Sequence, residues 1–502
     1  DTEVSLNLAE GEKLVSVQAI KKLSAETIDL TSAQIVDCES NSVSFHPPDD
    51  EQWSILLFIE TFSGGNIRGI HFGEDDGEEH APPSADLLHP AAVNKFIELT
   101  HDTYYAHLKQ HFGNTIIAMF TDEPDILGRG SGHNLKPWTT DFLTYYKQNG
   151  NKETQLAALW FDAGEMTAEI RKNYQKTVNK RLSEVYYQQI AAWCEIHQIA
   201  LTGHPAASDD IGLLDHFQIP GQDVVWRWVG PEDNKALEGE HSTAGKCSAD
   251  AARHRNRRRN LNEFLGVCGK ESPCALSPGD MKWYIDWLLV RGVNLLCPHA
   301  FYYSIDGKRR SHERPPDVGP NNHWWPYYKQ FAQYMKRLSW LMTDSVNQTA
   351  VAVLCEQDFL PWKTAKPLFE NQIEFNYLEE ELFLSASVIE NGQIKIAQQQ
   401  YSVIIIEESI HLTTETKEKL EEFTRGGGKV IAYTSDPFSA NVPGATMVSN
   451  LDNLSHTIPI SLRNEVALSP SDKSIRVSKV KKNGCFFYFI VNEGEEDYQS
   501  VR

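Results

Sequence analysis

What this sequence lacks narrows its reading first. Its 502 residues hold eight cysteines, Cys38, Cys194, Cys247, Cys268, Cys274, Cys297, Cys355 and Cys485, and none of them forms a CxxC or a zinc-type grouping. That excludes a thioredoxin-like motif and a zinc ribbon, and it predicts free thiols in a reducing, cytoplasmic compartment. No apolar run approaches the roughly 18 residues needed to cross a bilayer, and no signal-like apolar stretch opens the chain. The expectation is a soluble protein without a membrane partner. Basic residues are also short: 47 Lys and Arg face 69 Asp and Glu, for a formal charge of -22. Such a molecule repels phosphate backbones and acidic lipid surfaces, so a neutral ligand suits it better than nucleic acid. The local exception, Arg253, His254, Arg255, Arg257, Arg258 and Arg259, reads as a solvated face neutralised by nearby acids rather than a nucleic-acid patch. A phosphate-loop fingerprint is missing too, and Gly426, Gly427 and Gly428 read as a helix stop.

What is present is apolar and aromatic. Hydrophobic residues make up 41% of the chain and aromatics 10%, enough to bury a large core, and the length predicts two or three domains. Up to residue 50 the pattern is short and alternating, as in β-hairpins. From Trp53 it changes to strands alternating with long amphipathic helices, the mark of βα units and a parallel sheet. Strands are predicted over residues 53–59, 115–120, 199–202, 223–229, 260–264 and 293–298. Between them, Val93, Ile97, Tyr104 and Leu108 share a helical face, as do Ile170, Tyr174, Val178 and Leu182. Ser277, Pro278 and Asp280 form a helix start.

The fold class is therefore α/β. Residues 51–345 read as a TIM-type (β/α)8 barrel, preceded by a β-hairpin segment over 1–50. A small flavodoxin-like α/β domain follows over 346–450, and 451–502 reads as the start of a β-sandwich, with a hairpin at Asn483 and Gly484. Six barrel strands are counted where closure needs eight. Either the first two precede Asp1 in a longer protein, or an early strand hides in the first 50 residues.

In such a barrel the reacting groups sit at the C-terminal strand ends, where the loops converge on one cup. The polar residues there are Asp122 and Glu123, His204, Asp223 with Arg227 and Glu232, Glu263, and His299 with Tyr302 and Tyr303. Cleaving a glycosidic bond needs two carboxyl groups, one to protonate the leaving oxygen and one to attack or to activate water. Glu123 and Glu263, on strands four and seven if residues 293–298 are the eighth, fit that need. Sugars offer flat apolar faces edged with hydroxyls, which favours aromatic platforms beside hydrogen-bonding groups. Trp226, Trp228, Tyr302, Tyr303, Trp324 and Trp325 are the platform candidates, and Asp122, His204, Arg227, Glu232, His299 and Asp306 the polar ones. No metal ligand set is assigned. The acidic loop of Glu74, Asp75, Asp76, Glu78 and Glu79 lacks EF-hand spacing and reads as a solvated rim.

The sequence "FTDEP" resembles the Asn-Glu-Pro acid site of the retaining barrel glycosidases of clan A, with Asp122 where those enzymes have the Asn that meets the substrate 2-hydroxyl. "LNEF" occupies the place of their nucleophile. More closely, residues 86–342 are similar to the barrel of the α-L-rhamnosidase-like glycosidases with a sugar-binding domain, through "DLLHPAAVNKFIELTHDTYYAHL", "FTDEPD", "DMKWYIDWLLVRGVNLLCPHAFYYS" and "RPPDVGPNNHWWPYY". The resemblance implies exo-acting hydrolysis of plant or microbial glycans, an oligosaccharide or glycoside substrate, an inverting course with Glu263 or Glu232 as general base, and calcium as the one cofactor to test. The oligomeric state is left open. Two other readings stand beside it: a metal-dependent barrel hydrolase using His204 and His299, and a non-catalytic carbohydrate-binding barrel.

Overall fold

The computed structural model describes all residues except 1, 40–41, 68–81, 267–275, 300–317, 436–441, 443, 464–465, 495 and 497–502. The chain forms two compact units, Asp1–His111 with Asp125–Trp193, and Phe112–Pro124 with Cys194–Arg502.

The first unit carries two antiparallel sheets. One orders β1 (Thr2–Ser5), β5 (Ser42–Phe45) and β4 (Cys38–Glu39), and the other β3 (Ile28–Ile35), β2 (Lys13–Lys22) and β6 (Trp53–Glu60). This corrects the reading of residues 53–59 as a strand of the parallel series. Strand β6 runs antiparallel to β2, from Lys13 opposite Glu60 to Lys21 opposite Trp53. An apolar run reports burial, and it does not report the direction of its partner. The Pro90–Ile97 helix buries Val93 and Ile97 as its spacing requires, but Tyr104 is 54% exposed. A π-helical turn at Glu98–Asp102 lies between them, and its extra residue rotates the following face away. The Met166–Leu182 helix keeps its period and buries Ile170, Tyr174, Val178 and Leu182.

The second unit holds the parallel strands. Strand β7 (Ala118–Asp122) pairs with β8 (Ala200–His204), and β9 (Gly221–Asp223) pairs with β10 (Leu261–Phe264), which pairs with β11 (Leu295–Pro298), all parallel. The two groups join: the Ile219 N–H donates to the Leu201 carbonyl at 3.1 Å, and Thr202 Oγ1 donates to the Ile219 carbonyl at 2.9 Å. Five parallel strands thus run in chain order, with Glu123 just past the first and Glu263 in the fourth. They approach closely because Gly203 and Gly221 have no side chain. A Cβ on Gly203, whose φ is +107°, would lie 1.9 Å from the Thr121 carbonyl oxygen, and one on Gly221 would lie 2.2 Å from that of Gly203.

The Pro278–Val290 helix links β10 to β11. Ser277 caps it, its Oγ accepting from the Asp280 N–H at 3.0 Å while Asp280 accepts from the Ser277 N–H at 3.2 Å. Met281, Tyr284, Ile285, Trp287, Leu288 and Leu289 are wholly buried, in a core shared with Phe264, Leu265 and Val293. Residues 223–229 are not one strand. Strand β9 ends at Asp223, and Trp226–Val229 is a helical turn closed by the Gly230 N–H on the Trp226 carbonyl at 2.8 Å. Its aromatic and β-branched composition imitates a strand, but burying Trp226 against Trp283 and Tyr284 selects the turn.

After β12 (Val346–Asn347) comes a five-stranded parallel sheet made of β13 (Val351–Cys355), β14 (Asn376–Glu379), β18 (Val403–Glu407), β19 (Lys429–Tyr433) and β20 (Thr446–Val448). Between β14 and β18 lie three short antiparallel strands, β15 (Val388–Glu390), β16 (Gln393–Ile396) and β17 (Gln399–Tyr401). The parallel order β14-β13-β18-β19-β20 is the flavodoxin-like order. Strands β21 (Ile475–Lys482) and β22 (Cys485–Asn492) form the hairpin expected from Asn483 and Gly484, both at positive φ, and β21 pairs with β12.

The basic run is spent on structure. Arg255 makes a two-point ion pair with Glu379 at 2.6 and 2.8 Å, Arg253 meets Asp250 and Asn376, and Arg258 meets Asp344. Arg259 donates to the Asn294 carbonyl, and buried His254 faces the Tyr401 hydroxyl at 2.7 Å. Among the described residues no helix is long and apolar enough to cross a membrane. Cys38, Cys194, Cys247, Cys297, Cys355 and Cys485 are free thiols, while Cys268 and Cys274 lie outside the described residues.

Candidate active site

Register places the site. Asp122 at the end of β7 lies beside His204 at the end of β8, and Asp223, Glu263 and Cys297 lie side by side on β9, β10 and β11. Residues paired in a parallel sheet project to the same face. Consecutive residues project oppositely, so Asp122 and Glu123 would diverge in a regular strand. Glu123, however, has φ +40°, and this left-handed kink breaks the alternation. Donor atoms of Asp122, Glu123 and His204 consequently lie within 4.8 Å of one another.

His204 occupies the middle. It is 1% exposed, its Nε2 lies 3.2 Å from Glu263 Oε2 and 3.7 Å from Asp122 Oδ1, and its Nδ1 faces the Pro205 carbonyl at 3.2 Å. Burial alone would push this imidazole down, but the hydrogen bond to Glu263 and the charges of Asp223, Glu263 and Asp122 outweigh it and raise the group to about 9. Phe120 packs edge-on to the ring at 5.6 Å. Burial first, then the charges of Glu263 and Asp223, pushes the Cys297 thiol up to about 11, so it stays neutral.

The remaining candidates divide. Trp226 is 2% exposed and belongs to the core, which removes it as a sugar platform. Trp324 is buried with its Nε1 donating to the Leu276 carbonyl, and Trp325 stacks on Tyr328 against the same core. An aromatic residue's share of apolar area favours packing over display unless a pocket holds it open. Trp228 stays partly exposed, stacked on His241 at 4.1 Å with the Arg227 guanidinium 5.8 Å from its ring. Glu232 begins a 3-10 turn, and the His299 N–H donates to the Phe264 carbonyl at 2.8 Å, which sets His299 beyond the end of β11. Tyr302, Tyr303, Asp306 and the acidic loop from Glu74 to Glu79 lie outside the described residues.

Sequence reasoning missed two features of the loops that follow β8 and β9. Asp209 and Asp210 are largely buried. Burial, with the charge of Glu240 on the first and of Asp209 on the second, raises them to about 6 and about 7. His241 accepts or donates at Ser208 Oγ, 3.0 Å away, behind Trp228. The adjacent acids in "SDD" are visible in the sequence, but their burial is not.

Calcium fits the central group poorly. A hard cation of this kind takes six to eight oxygen ligands, whereas one of the three clustered donors is an imidazole already turned to Glu263.

The family model of glycoside hydrolase family 106, α-L-rhamnosidase, matches residues 9–453. This chain belongs to the α-L-rhamnosidase family. Among solved structures, the rhamnosidase from Novosphingobium sp. PP1Y superposes with a TM-score of 0.70 at 16% identity, covering 93% of this chain and 48% of that one. A catalytic mutant of a GH42 β-galactosidase from G. stearothermophilus superposes with a TM-score of 0.59 at 12% identity, over 82% of this chain and 77% of that one. At such identities the likeness is one of fold, a TIM-barrel glycoside hydrolase fold. A putative β-glucuronidase of Formosa agariphila is 23% identical over 300 residues, 55% of this chain and 23% of that protein. This family member thus spans about half the length of the rhamnosidase structure and about a quarter of the curated relative.

Proposed function

We propose that this chain carries the catalytic barrel of an exo-acting glycoside hydrolase that cleaves a glycosidic bond in plant or microbial glycans, with α-L-rhamnosides as the first substrates to test. Glu123 protonates the leaving oxygen, and Glu263 attacks the sugar or activates water. The carrying observation is that two acids from distant parts of the chain, Glu123 and Glu263, lie around one buried imidazole at parallel-strand ends. Asp122, 53% exposed on its side chain, is placed to accept from a sugar hydroxyl. Arg227, Glu232 and His299, with Tyr302 and Tyr303, complete the substrate-binding set in this reading. In this reading the five parallel strands are numbered four through eight, which puts Glu123 at the end of strand four and Glu263 on strand seven. The buried free thiols Cys194, Cys247 and Cys355 support a reducing, cytoplasmic setting.

A panel of nitrophenyl glycosides, led by the α-L-rhamnoside, tests the reading, and absence of turnover on every member sinks it. Proton NMR of the first-formed anomer assigns the course: inversion makes Glu263 the general base, retention the nucleophile. A metal-dependent hydrolase is the second reading, favoured by the proximity of Asp122, Glu123 and His204. The hydrogen bond of His204 to Glu263 counts against it, and stoichiometric zinc in purified protein would establish it.

A further inference from the structure

His204 was counted among substrate-binding residues from its strand-end position, yet its side chain is almost wholly buried. Both of its ring nitrogens face oxygen acceptors. The Pro205 carbonyl opposite Nδ1 can only accept, and an ionised Glu263 opposite Nε2 can only accept. With Glu263 ionised, the ring donates from both nitrogens as an imidazolium. It is anchored at one end by the backbone of its own strand exit and turned at the other toward two of the acids.

We propose that His204 is a positioning residue for the reaction: its buried, doubly donating ring fixes the Glu263 carboxylate and holds it ionised, while Glu123 is left to carry the proton for the leaving group. This rests on the glycosidase reading above. A cation beside a carboxylate stabilises its charged form, and of the acids around the ring Glu263 is the one whose carboxylate is hydrogen-bonded to Nε2, at 3.2 Å. Among the described residues, the groups facing the ring are Asp122 at the end of β7 with Glu123 just beyond it, Asp223 from β9 and Glu263 from β10, with the neutral Cys297 thiol next to Glu263. Phe120 packs edge-on against one flank of the ring at 5.6 Å. No bond is made or broken at His204 itself.

Two measurements on the full chain decide this. In the pH profile of kcat/KM, His204→Gln keeps an N–H donor but removes the charge. The acidic limb, which reports Glu263, should move up by about one pH unit or more while the basic limb stays in place. An acidic limb that coincides with the parent's overturns the proposal. Independently of turnover, the imidazole NMR signals of His204 should titrate well above the ordinary histidine range in the parent, and at least one pH unit lower in Glu263→Gln. Equal midpoints in the two proteins overturn it, and this comparison stands even if His204→Gln does not fold. A parent that turns over no glycoside sinks the proposed function instead, and the NMR pair alone then decides whether His204 and Glu263 are coupled.

Discussion

Two parallel sheets in the second unit both end their strands in carboxylates, and they treat them in opposite ways. In the flavodoxin-like sheet, Glu356, Glu379 and Glu407 stand at the ends of β13, β14 and β18, and all are buried. Glu379 is held by Arg255 at two points, Glu407 accepts from the Thr364 N–H at 3.0 Å, and Glu356 accepts from the His411 N–H at 2.9 Å. Each acid there has a donating partner and is packed away from solvent. In the β7 to β11 run, Asp122, Glu123, Asp223 and Glu263 gather about a single histidine, and Asp122 and Glu263 keep some exposure. Asp122 and Glu263 reach solvent, whereas Glu356, Glu379 and Glu407 do not. The position of an acid at a strand end is therefore shared by both sheets, and convergence on one buried imidazole with some exposure is what separates the candidate site from the scaffold.

The contrast breaks most visibly by removing charge from one sheet at a time. Glu263→Gln and Glu123→Gln should each lower kcat by about a thousandfold or more, with an unchanged circular dichroism spectrum. Glu407→Gln should leave kcat per folded molecule as it was, and a matching loss there would erase the distinction. Next in size, Glu379→Gln removes the two-point acceptor of Arg255, whose Nε still donates to Asp215 at 2.9 Å. It should cost about 1–3 kcal/mol of stability in urea unfolding while sparing turnover.

The pH dependence of stability sharpens the same contrast. Asp209 and Asp210 bind protons more tightly folded than unfolded, so stability should fall as pH rises from the ordinary carboxylate range to about 7 and then level off. Asp210→Asn should flatten that slope in a melting-temperature series, and an unaltered slope would show that the pair does not titrate there. His204, also raised, contributes stability that is complete below its unfolded value near 6.5 and is lost as pH climbs through about 9. A second decline over that window should vanish in His204→Gln. The smallest effect belongs to Asp122→Asn. With Asp122 Oδ1 3.7 Å from the imidazole and its side chain half exposed, turnover should drop less than about tenfold.

Much of this was legible before any coordinates. The Ser277 cap, the buried face of the Met166–Leu182 helix and the Asn483-Gly484 hairpin follow from local rules that need no distant partner. The strand ends bearing Glu123 and His204 were readable because apolar runs there stop at polar residues, whereas Glu263 lies within the short mixed strand Leu261–Phe264. The strand at residues 53–59 was misread because its apolar run says nothing of whether its neighbour is parallel or antiparallel. Trp226 was misread because an aromatic residue beside a charged one resembles a sugar platform until its packing partners are known.

By itself the sequence determined most of the helix and strand segments, residues 226–229 excepted, and where the acids fell along them, since these are written in composition and spacing. Only the tertiary structure decided that a left-handed residue at Glu123 turns a second acid toward His204, that the arginine run serves ion pairs, and that one strand-end histidine is enclosed by carboxylates. Those outcomes depend on which donors and acceptors meet across the fold, and the energy of a buried charge is set by its neighbours in space rather than along the chain.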